Sequence, residues 1–307
     1  MNPLKGIALK LVAVMLFIVM SSLIKAASDA VPPGQAVFFR SFFAMPVILA
    51  WLALRGDLRT GLRVTSRMGH FWRGVVGTTA MGLMFAGLGL LPLPEVTALG
   101  YAAPLLVVVF AAMFLDERVG IFRLGAVALG LAGVLIVLAP RLTTLGDDTV
   151  EVTQAVGAVL VLLGAVCAAL AQIYIRKLVQ TEQTSAIVFY FSLTASLLSL
   201  LTLPFGWTIP GGTVTIYLVL AGVLGGLAQI FLTSSYRFAD ASVIAPFDYA
   251  SMLFAIVIGY IVFDEVPTRQ MLIGAALVIL AGIIIILRER QLGLRRGRAR
   301  AVKTPQG

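Results

Sequence analysis

Charge is scarce in this chain. Charged residues make up 12% of the 307 positions and hydrophobic residues 60%, whereas soluble domains carry about a quarter charged residues. Histidine and cysteine occur once each, as His70 and Cys167. The lone histidine excludes a zinc site built on several imidazoles, and the lone cysteine excludes a disulfide framework within the chain. No Gly-x-x-x-x-Gly-Lys phosphate loop occurs, which excludes an ATP-driven pump of the P-loop kind.

Long apolar runs take the place of charge. Mean hydropathy is +1.03, and ten runs approach the ~20 residues with which a helix crosses a bilayer core. The alternating strands of a membrane barrel are missing from the sequence, so we expect an all-α polytopic membrane protein with ten transmembrane helices. The predicted spans are 6–26, 35–54, 71–91, 96–115, 121–139, 155–175, 185–203, 213–233, 241–262 and 269–287.

Basic residues are concentrated on one side of these spans. The net charge is +9, and most of the 23 lysines and arginines fall in alternate loops and in the tail 291–307. The positive-inside rule therefore predicts that both termini are cytoplasmic. It also explains the positive charge without a nucleic-acid partner. The expected partners are the lipid bilayer and a small-molecule substrate, with a homodimer left open.

One stretch of the chain occurs twice. Residues 98–138 align with residues 246–287, and the pair Asp116-Glu117 recurs as Asp264-Glu265 at the offset that also brings Tyr101 onto Tyr249. Shared hydrophobicity alone does not place two acidic residues at the same point of both copies. The chain is therefore predicted to be an internal duplication.

The duplication predicts the domain organisation. We expect a first five-helix repeat at 1–140, a second at 150–290, and a basic cytoplasmic tail at 291–307. Because each repeat holds an odd number of spans, the second enters the membrane upside down. Secondary transporters are built on this inverted plan, with the substrate site between the repeats.

Few ionisable groups lie at membrane depth, where each costs about 2.5–3.5 kcal/mol on insertion scales. Asp248 is the deepest carboxylate; it binds a proton or a polar substrate group, or else it pairs with Arg237 or caps a helix interrupted at Pro246. Arg40, flanked by phenylalanines at 38, 39, 42 and 43, faces inward or snorkels to the interface. Arg73 is expected to anchor a membrane end.

Uncharged polar residues complete the candidate site. Tyr101 and Tyr249 are predicted to face each other across the pseudo-twofold axis, either offering a hydroxyl and a ring to a ligand or simply packing. Gln172, Tyr174 and Gln229 either bind substrate or bridge helices. No basic pair is expected at depth, which argues against a phosphorylated substrate. No catalytic group, metal or cofactor is expected.

Several segments resemble a known family. Residues 39–44, 98–104 and 115–118, the last echoed by 263–266, are similar to the EamA-domain branch of the drug/metabolite transporter superfamily, and the resemblance covers about 6–287. The opening segment looks like the bacterial riboflavin importers and, less closely, S-adenosylmethionine carriers.

The resemblance implies a secondary carrier of the bacterial cytoplasmic membrane that works by alternating access, with riboflavin uptake as the best substrate guess. The alternatives are a carrier of another metabolite, such as S-adenosylmethionine or an amino-acid-like compound, and an integral membrane enzyme. An enzyme would need a convergent catalytic set, which these residues do not supply.

Overall fold

The computed structural model describes residues 3–58, 60–114, 121–143, 149–178, 181–238 and 245–302. Within these ranges the chain is helical and contains no strand. The helices are α1 Pro3–Ala27, α2 Pro33–Leu54, α3 Arg67–Leu90, α4 Leu93–Gly100, α5 Ala102–Phe114, α6 Ile121–Thr143, α7 Thr149–Leu178, α8 Thr184–Leu200, α9 Gly212–Phe238, a 3₁₀ helix Ala245–Tyr249, α10 Ala250–Phe263 and α11 Arg269–Val302.

These helices form a multi-pass membrane protein. Among the described residues, seven helical segments are long and apolar enough to cross a membrane, and shorter apolar helices lie at Leu124–Pro140, Thr184–Leu200 and Phe247–Phe263. Each of the ten predicted spans overlaps one of these segments. Large apolar side chains such as Leu135, Leu197 and Leu253 are exposed on the outer faces, as expected of helices whose solvent is lipid.

Two of the predicted spans are interrupted, and at equivalent positions. The span predicted at 96–115 divides into α4 and α5 at Tyr101, and the span predicted at 241–262 passes through the 3₁₀ helix before α10 begins at Ala250. Proline lacks the N–H that bonds the carbonyl four residues earlier and disfavours helix in the residue before it. Pro104 and Pro246 therefore account for both interruptions. The one near Pro246 was predicted from the sequence, whereas the one at Tyr101 was not.

The helices pack in pairs that reflect the duplication. α1 packs along α9, α3 along α7, and α6 along α11. In the order of the spans, the first contacts the eighth, the third contacts the sixth, and the fifth contacts the tenth. If each span is replaced by its counterpart in the other repeat, the contact between spans 1 and 8 becomes the contact between spans 6 and 3. The contact between spans 5 and 10 is unchanged.

Candidate functional site

A cavity of about 440 Å³ lies between α1, α2 and α3 on one side and α7, α8 and α9 on the other. Its volume falls in the range of about 300–1,000 Å³ that is usual for small-molecule sites. The walls are largely apolar, with four polar side chains among the described residues. The lining residues are Phe17, Met20, Arg40, Arg73, Gly77, Ala80, Met81, Met84, Phe85, Ala168, Ala171, Gln172, Ile175, Phe191 and Gln229.

Two arginines meet in this cavity around one aromatic ring. Arg40 on α2 is 7% exposed and Arg73 on α3 is 9% exposed. Their guanidinium carbons lie 5.8 Å and 4.1 Å from the centroid of the Phe191 ring on α8. Both distances allow a cation–π interaction. Because both guanidinium groups contact the same ring, they are close enough to repel each other.

The nitrogens of this arginine pair are incompletely satisfied. Nε of Arg40, and Nε and Nη1 of Arg73, are buried without a hydrogen-bond partner among the described residues. The ion pairs found within the described ranges join other residues, namely Lys10 with Asp248, Lys25 with Glu265 and His70 with Glu182.

The arginine pair corrects one expectation from the sequence. A basic pair in the interior was not expected, and that prediction is wrong; Arg73 was expected to anchor a membrane end, but its guanidinium lies buried in the cavity. α3 begins at Arg67, so Arg73 lies almost two turns inside the helix. The sequence signal that could have revealed it is Gly77, one turn later, because a Cβ added there would collide with Nη1 of Arg73. The glycine leaves room for the guanidinium to fold inward.

The cavity brings together three of the residues predicted for the site. Gln172 on α7 and Gln229 on α9 line it together with Arg40, so their amides offer hydrogen bonds beside the positive charges. Tyr174 is not among the lining residues. It follows Gln172 by two positions, about 200° around a helix of 3.6 residues per turn, and so lies on another face of α7.

The two predicted tyrosines lie together but not in this cavity wall. The rings of Tyr101 and Tyr249 have centroids 5.1 Å apart at an interplanar angle of 71°. The Tyr101 hydroxyl forms a hydrogen bond of 2.5 Å with the hydroxyl of Ser251 and donates to the Tyr249 carbonyl at 3.4 Å. The pair therefore joins the two interrupted spans to each other.

Asp248 forms an ion pair with α1. Its Oδ1 lies 2.7 Å from Nζ of Lys10, whose side chain is 2% exposed, while the Asp248 side chain is 52% exposed. Asp248 does not belong to the described lining of the cavity. The alternative pairing with Arg237 involves a side chain outside the described residues.

A second ion pair ties several helix ends together. Nζ of Lys25 lies 3.0 Å from Oε1 of Glu265 and donates to the Leu91 carbonyl at 2.6 Å. Oε2 of Glu265 accepts the N–H of Leu93, the first residue of α4, at 2.8 Å. Glu265 thus contacts the N-terminus of α4. The equivalent residues 116 and 117 lie outside the described ranges.

Glu182 caps a helix at the opposite end of the bundle. Its Oε1 accepts the backbone N–H groups of Ser66 at 2.6 Å and Thr65 at 2.7 Å, and Oε2 lies 3.7 Å from Nε2 of His70. Burial raises the pKa of the Glu182 carboxyl, but the two N–H donors and His70 lower it further, so the pKa lies below its usual value. Glu182 thus fixes the loop before α8 to the start of α3.

Known proteins resemble this chain in sequence and in fold. The sequence model of the EamA-like transporter family matches residues 4–139 and again residues 155–288. A crystal structure superposes with a TM-score of 0.65 at 22% identity, covering 94% of this chain and 98% of that chain; this likeness shows the fold.

Relatives of this chain are named as transporters. The pseudopaline exporter CntI of Pseudomonas aeruginosa is 31% identical over 284 residues, covering 91% of this chain and 95% of the exporter. The riboflavin transporter of Rhizobium johnstonii is 29% identical over 261 residues, covering 85% and 83%. The S-adenosylmethionine uptake transporter of Rickettsia felis is 26% identical over 257 residues, covering 84% of each chain.

Proposed function

Since the chain belongs to the EamA-like transporter family, we propose that it is a secondary carrier of the bacterial cytoplasmic membrane that moves a small organic metabolite by alternating access. The observation that carries the proposal is the cavity of about 440 Å³ between α1–α3 and α7–α9. Its apolar walls hold a few convergent polar groups, which is the usual make-up of a small-molecule site.

The proposed architecture is two five-span repeats, 1–140 and 150–290, inverted about an axis in the membrane plane. Three observations support it. The helix pairs map onto one another when each span is replaced by its counterpart in the other repeat. The interruptions at Tyr101 and Tyr249 are equivalent, and the family model matches the chain twice. In such carriers the substrate site lies between the repeats, where the cavity is found.

Alternating access can be tested without knowing the substrate. Ala171 lines the cavity, so Ala171→Cys in a Cys167→Ser background should react with a membrane-impermeant thiol reagent in both right-side-out and inverted vesicles. Ala275→Cys is the matched control, because Ala275 is 2% exposed and lies outside the cavity lining; it should stay unlabelled. Labelling of Ala171→Cys from only one face contradicts alternating access.

The proposed orientation, with both termini cytoplasmic, has its own test. Thr60→Cys and Thr144→Cys are placed in loops that the positive-inside rule assigns to opposite faces; Thr144 lies outside the described residues. In intact cells only Thr144→Cys should react with an impermeant reagent. Reaction of Thr60→Cys instead reverses the topology.

Riboflavin is the first substrate to test, because one relative bears that name and the glutamines suit a hydrogen-bonding ring system. Growth rescue of a riboflavin auxotroph at low external vitamin is the measurement. A well-expressed protein that gives no rescue leaves the carrier proposal standing and removes this substrate, with S-adenosylmethionine next. Radiolabelled substrate that is taken up into vesicles should be recovered chemically unchanged, because a carrier moves its substrate without altering it, whereas an integral membrane enzyme converts it.

A further inference from the structure

The cavity has a charge imbalance that the carrier proposal alone does not explain. Among its described lining residues the ionisable groups are Arg40 and Arg73, and none is aspartate or glutamate. Neither arginine takes part in an ion pair found within the described ranges. The site therefore presents two positive charges to whatever enters it.

Two buried guanidinium groups are unfavourable when the cavity holds no anion to balance their charge. Burying a charge is costly unless a partner of opposite sign and hydrogen bonds compensate for the lost water. Here three guanidinium nitrogens lack hydrogen-bond partners among the described residues. The two groups also repel each other across the Phe191 ring. An anion that bridges them would relieve both penalties at once.

We propose that the cavity binds a small organic anion with two carboxylates, one at each guanidinium. This rests on the proposed carrier function and names a substrate class to which riboflavin, which has no carboxylate, does not belong. A guanidinium fork matches a carboxylate with two parallel hydrogen bonds, and two carboxylates balance two arginines. The carbon skeleton lies against the apolar wall of Phe17, Met81 and Met84, while Gln172 hydrogen-bonds to further polar atoms.

The surrounding backbone favours carboxylates over a phosphate group. Phosphate sites commonly use free backbone N–H groups at helix N-termini or in glycine-rich loops. The described lining residues instead lie inside helices, beyond the first turn, where each N–H already bonds a carbonyl. Recognition of the anion therefore falls to the side chains of Arg40 and Arg73.

Binding to the purified full-length protein in carboxylate-free buffer tests the proposal. The probes are glutarate and benzene-1,3-dicarboxylate, the diamide of each, phenyl phosphate and riboflavin, and the readout is the midpoint of thermal unfolding against probe concentration. At least one dicarboxylate should stabilise the wild type while its diamide does not. In Arg40→Gln and in Arg73→Gln its binding should be about 10- to 100-fold weaker, as expected for the loss of a charged hydrogen-bonding partner.

Arg55→Gln is the matched control. Arg55 also stacks on an aromatic ring, with its guanidinium carbon 4.5 Å from the centroid of Trp51, but it lies outside the cavity lining. Its substitution should leave dicarboxylate binding unchanged. Without any ligand, Arg73→Gln should raise the unfolding midpoint because it removes one of two repelling charges, whereas Arg55→Gln should not.

The proposal is overturned if no dicarboxylate stabilises the wild type. It is also overturned if the stabilisation survives loss of both arginines, or if only phenyl phosphate or riboflavin binds. Labelling of Ala171→Cys from both faces, alongside any of these results, would keep the carrier function and reject only the substrate class. Failure of that labelling rejects the carrier function itself.

Discussion

The ring of Tyr101 packs edge-on against the ring of Tyr249, with centroids 5.1 Å apart. Each tyrosine stands where a membrane span is interrupted, and the two positions are equivalent in the internal repeat. The Tyr101 hydroxyl bonds both Ser251 and the Tyr249 carbonyl, so a side chain at one interruption is hydrogen-bonded to the other span. The two breaks thus form a joint between the proposed repeats.

The joint leaves no space beside the Tyr249 hydroxyl. A Cβ added at Gly282 would collide with that hydroxyl, so Gly282→Ala should destabilise the protein by about 1–3 kcal/mol, the usual cost of overpacking. Thermal unfolding in detergent is the measurement. Adding Tyr249→Phe should recover part of the loss, because it removes the colliding oxygen. If Tyr249→Phe does not recover any of the lost stability, the collision with the Tyr249 hydroxyl is not its cause.

Gly125→Ala is the control for this prediction. Gly125 also lies inside an apolar helix, but nothing lies within 4 Å of a Cβ added there. The substitution should be neutral or stabilise by up to about 1 kcal/mol, since alanine favours helix over glycine. An equal loss for Gly125→Ala and Gly282→Ala would show that the effect is general and not a collision with Tyr249.

Much of the fold could be predicted because membrane spans follow from local composition. Run length alone located ten segments, and Pro246 alone indicated an interruption, since both effects act within a few residues. The break at Tyr101 was missed because it lies three positions before the proline that causes it. Pro104 has no N–H, so the Gly100 carbonyl lacks the helical partner that residue 104 would otherwise supply.

The candidate site was predicted less completely, because it depends on contacts between distant segments. Arg40, Gln172 and Gln229 line the cavity, whereas Tyr174 does not, since periodicity alone did not establish which face of α7 is inward. Arg73 was missed because hydropathy placed the start of its span at 71. The capping of Ser66 by Glu182, which extends α3 outward to Arg67, is a tertiary interaction that no local pattern reveals.

The ion pair between Lys25 and Glu265 is predicted to hold one end of the bundle closed, the end that the proposed orientation places outside. Lys25→Met removes the pair and the bond to the Leu91 carbonyl, so it should speed labelling of Ala171→Cys by an impermeant reagent from outside. Loss of a partner in such a partly buried pair costs about 1–3 kcal/mol. Unchanged labelling would show that the pair does not control access.

Glu265→Gln separates the ion pair from the helix cap. A glutamine oxygen can still accept the Leu93 N–H, but the charge opposite Lys25 is lost. This variant should also speed external labelling while keeping most of the thermal stability. Lys5→Met is the control, because Lys5 lies near the other end of α1, over the Phe238 ring, and should leave external labelling unchanged.

Glu182 should make stability depend on pH on the acid side. Its pKa is lowered in the folded protein relative to the unfolded value of about 4.3, so its contribution is fully present above about pH 5 and is lost as pH falls through the lowered folded pKa. The unfolding midpoint of Glu182→Gln should therefore lie below that of the wild type at pH 7, and the difference should shrink as pH falls toward 3. A difference that stays constant with pH contradicts a role for the ionised carboxylate.

The ion pair between Lys10 and Asp248 decides what the deepest predicted carboxylate does. Nζ of Lys10 is almost fully buried and lies 2.7 Å from Oδ1 of Asp248, so Asp248→Asn leaves a buried positive charge with its main counter-charge removed. Breaking a fully buried pair costs about 3–5 kcal/mol, whereas replacing both partners is often nearly neutral. Because the Asp248 side chain is half exposed, the cost here is smaller than that. Asp248→Asn alone should therefore lower the unfolding midpoint, and combining it with Lys10→Met should recover much of the loss.

The transport readout separates this structural role from a direct one. If Asp248 carries a coupling proton or contacts substrate, then Asp248→Asn should abolish transport while stability holds, and adding Lys10→Met should not restore transport. We expect the first pattern, because Asp248 lies outside the described cavity lining and the Lys10 ammonium group, 2.7 Å away, already balances its charge.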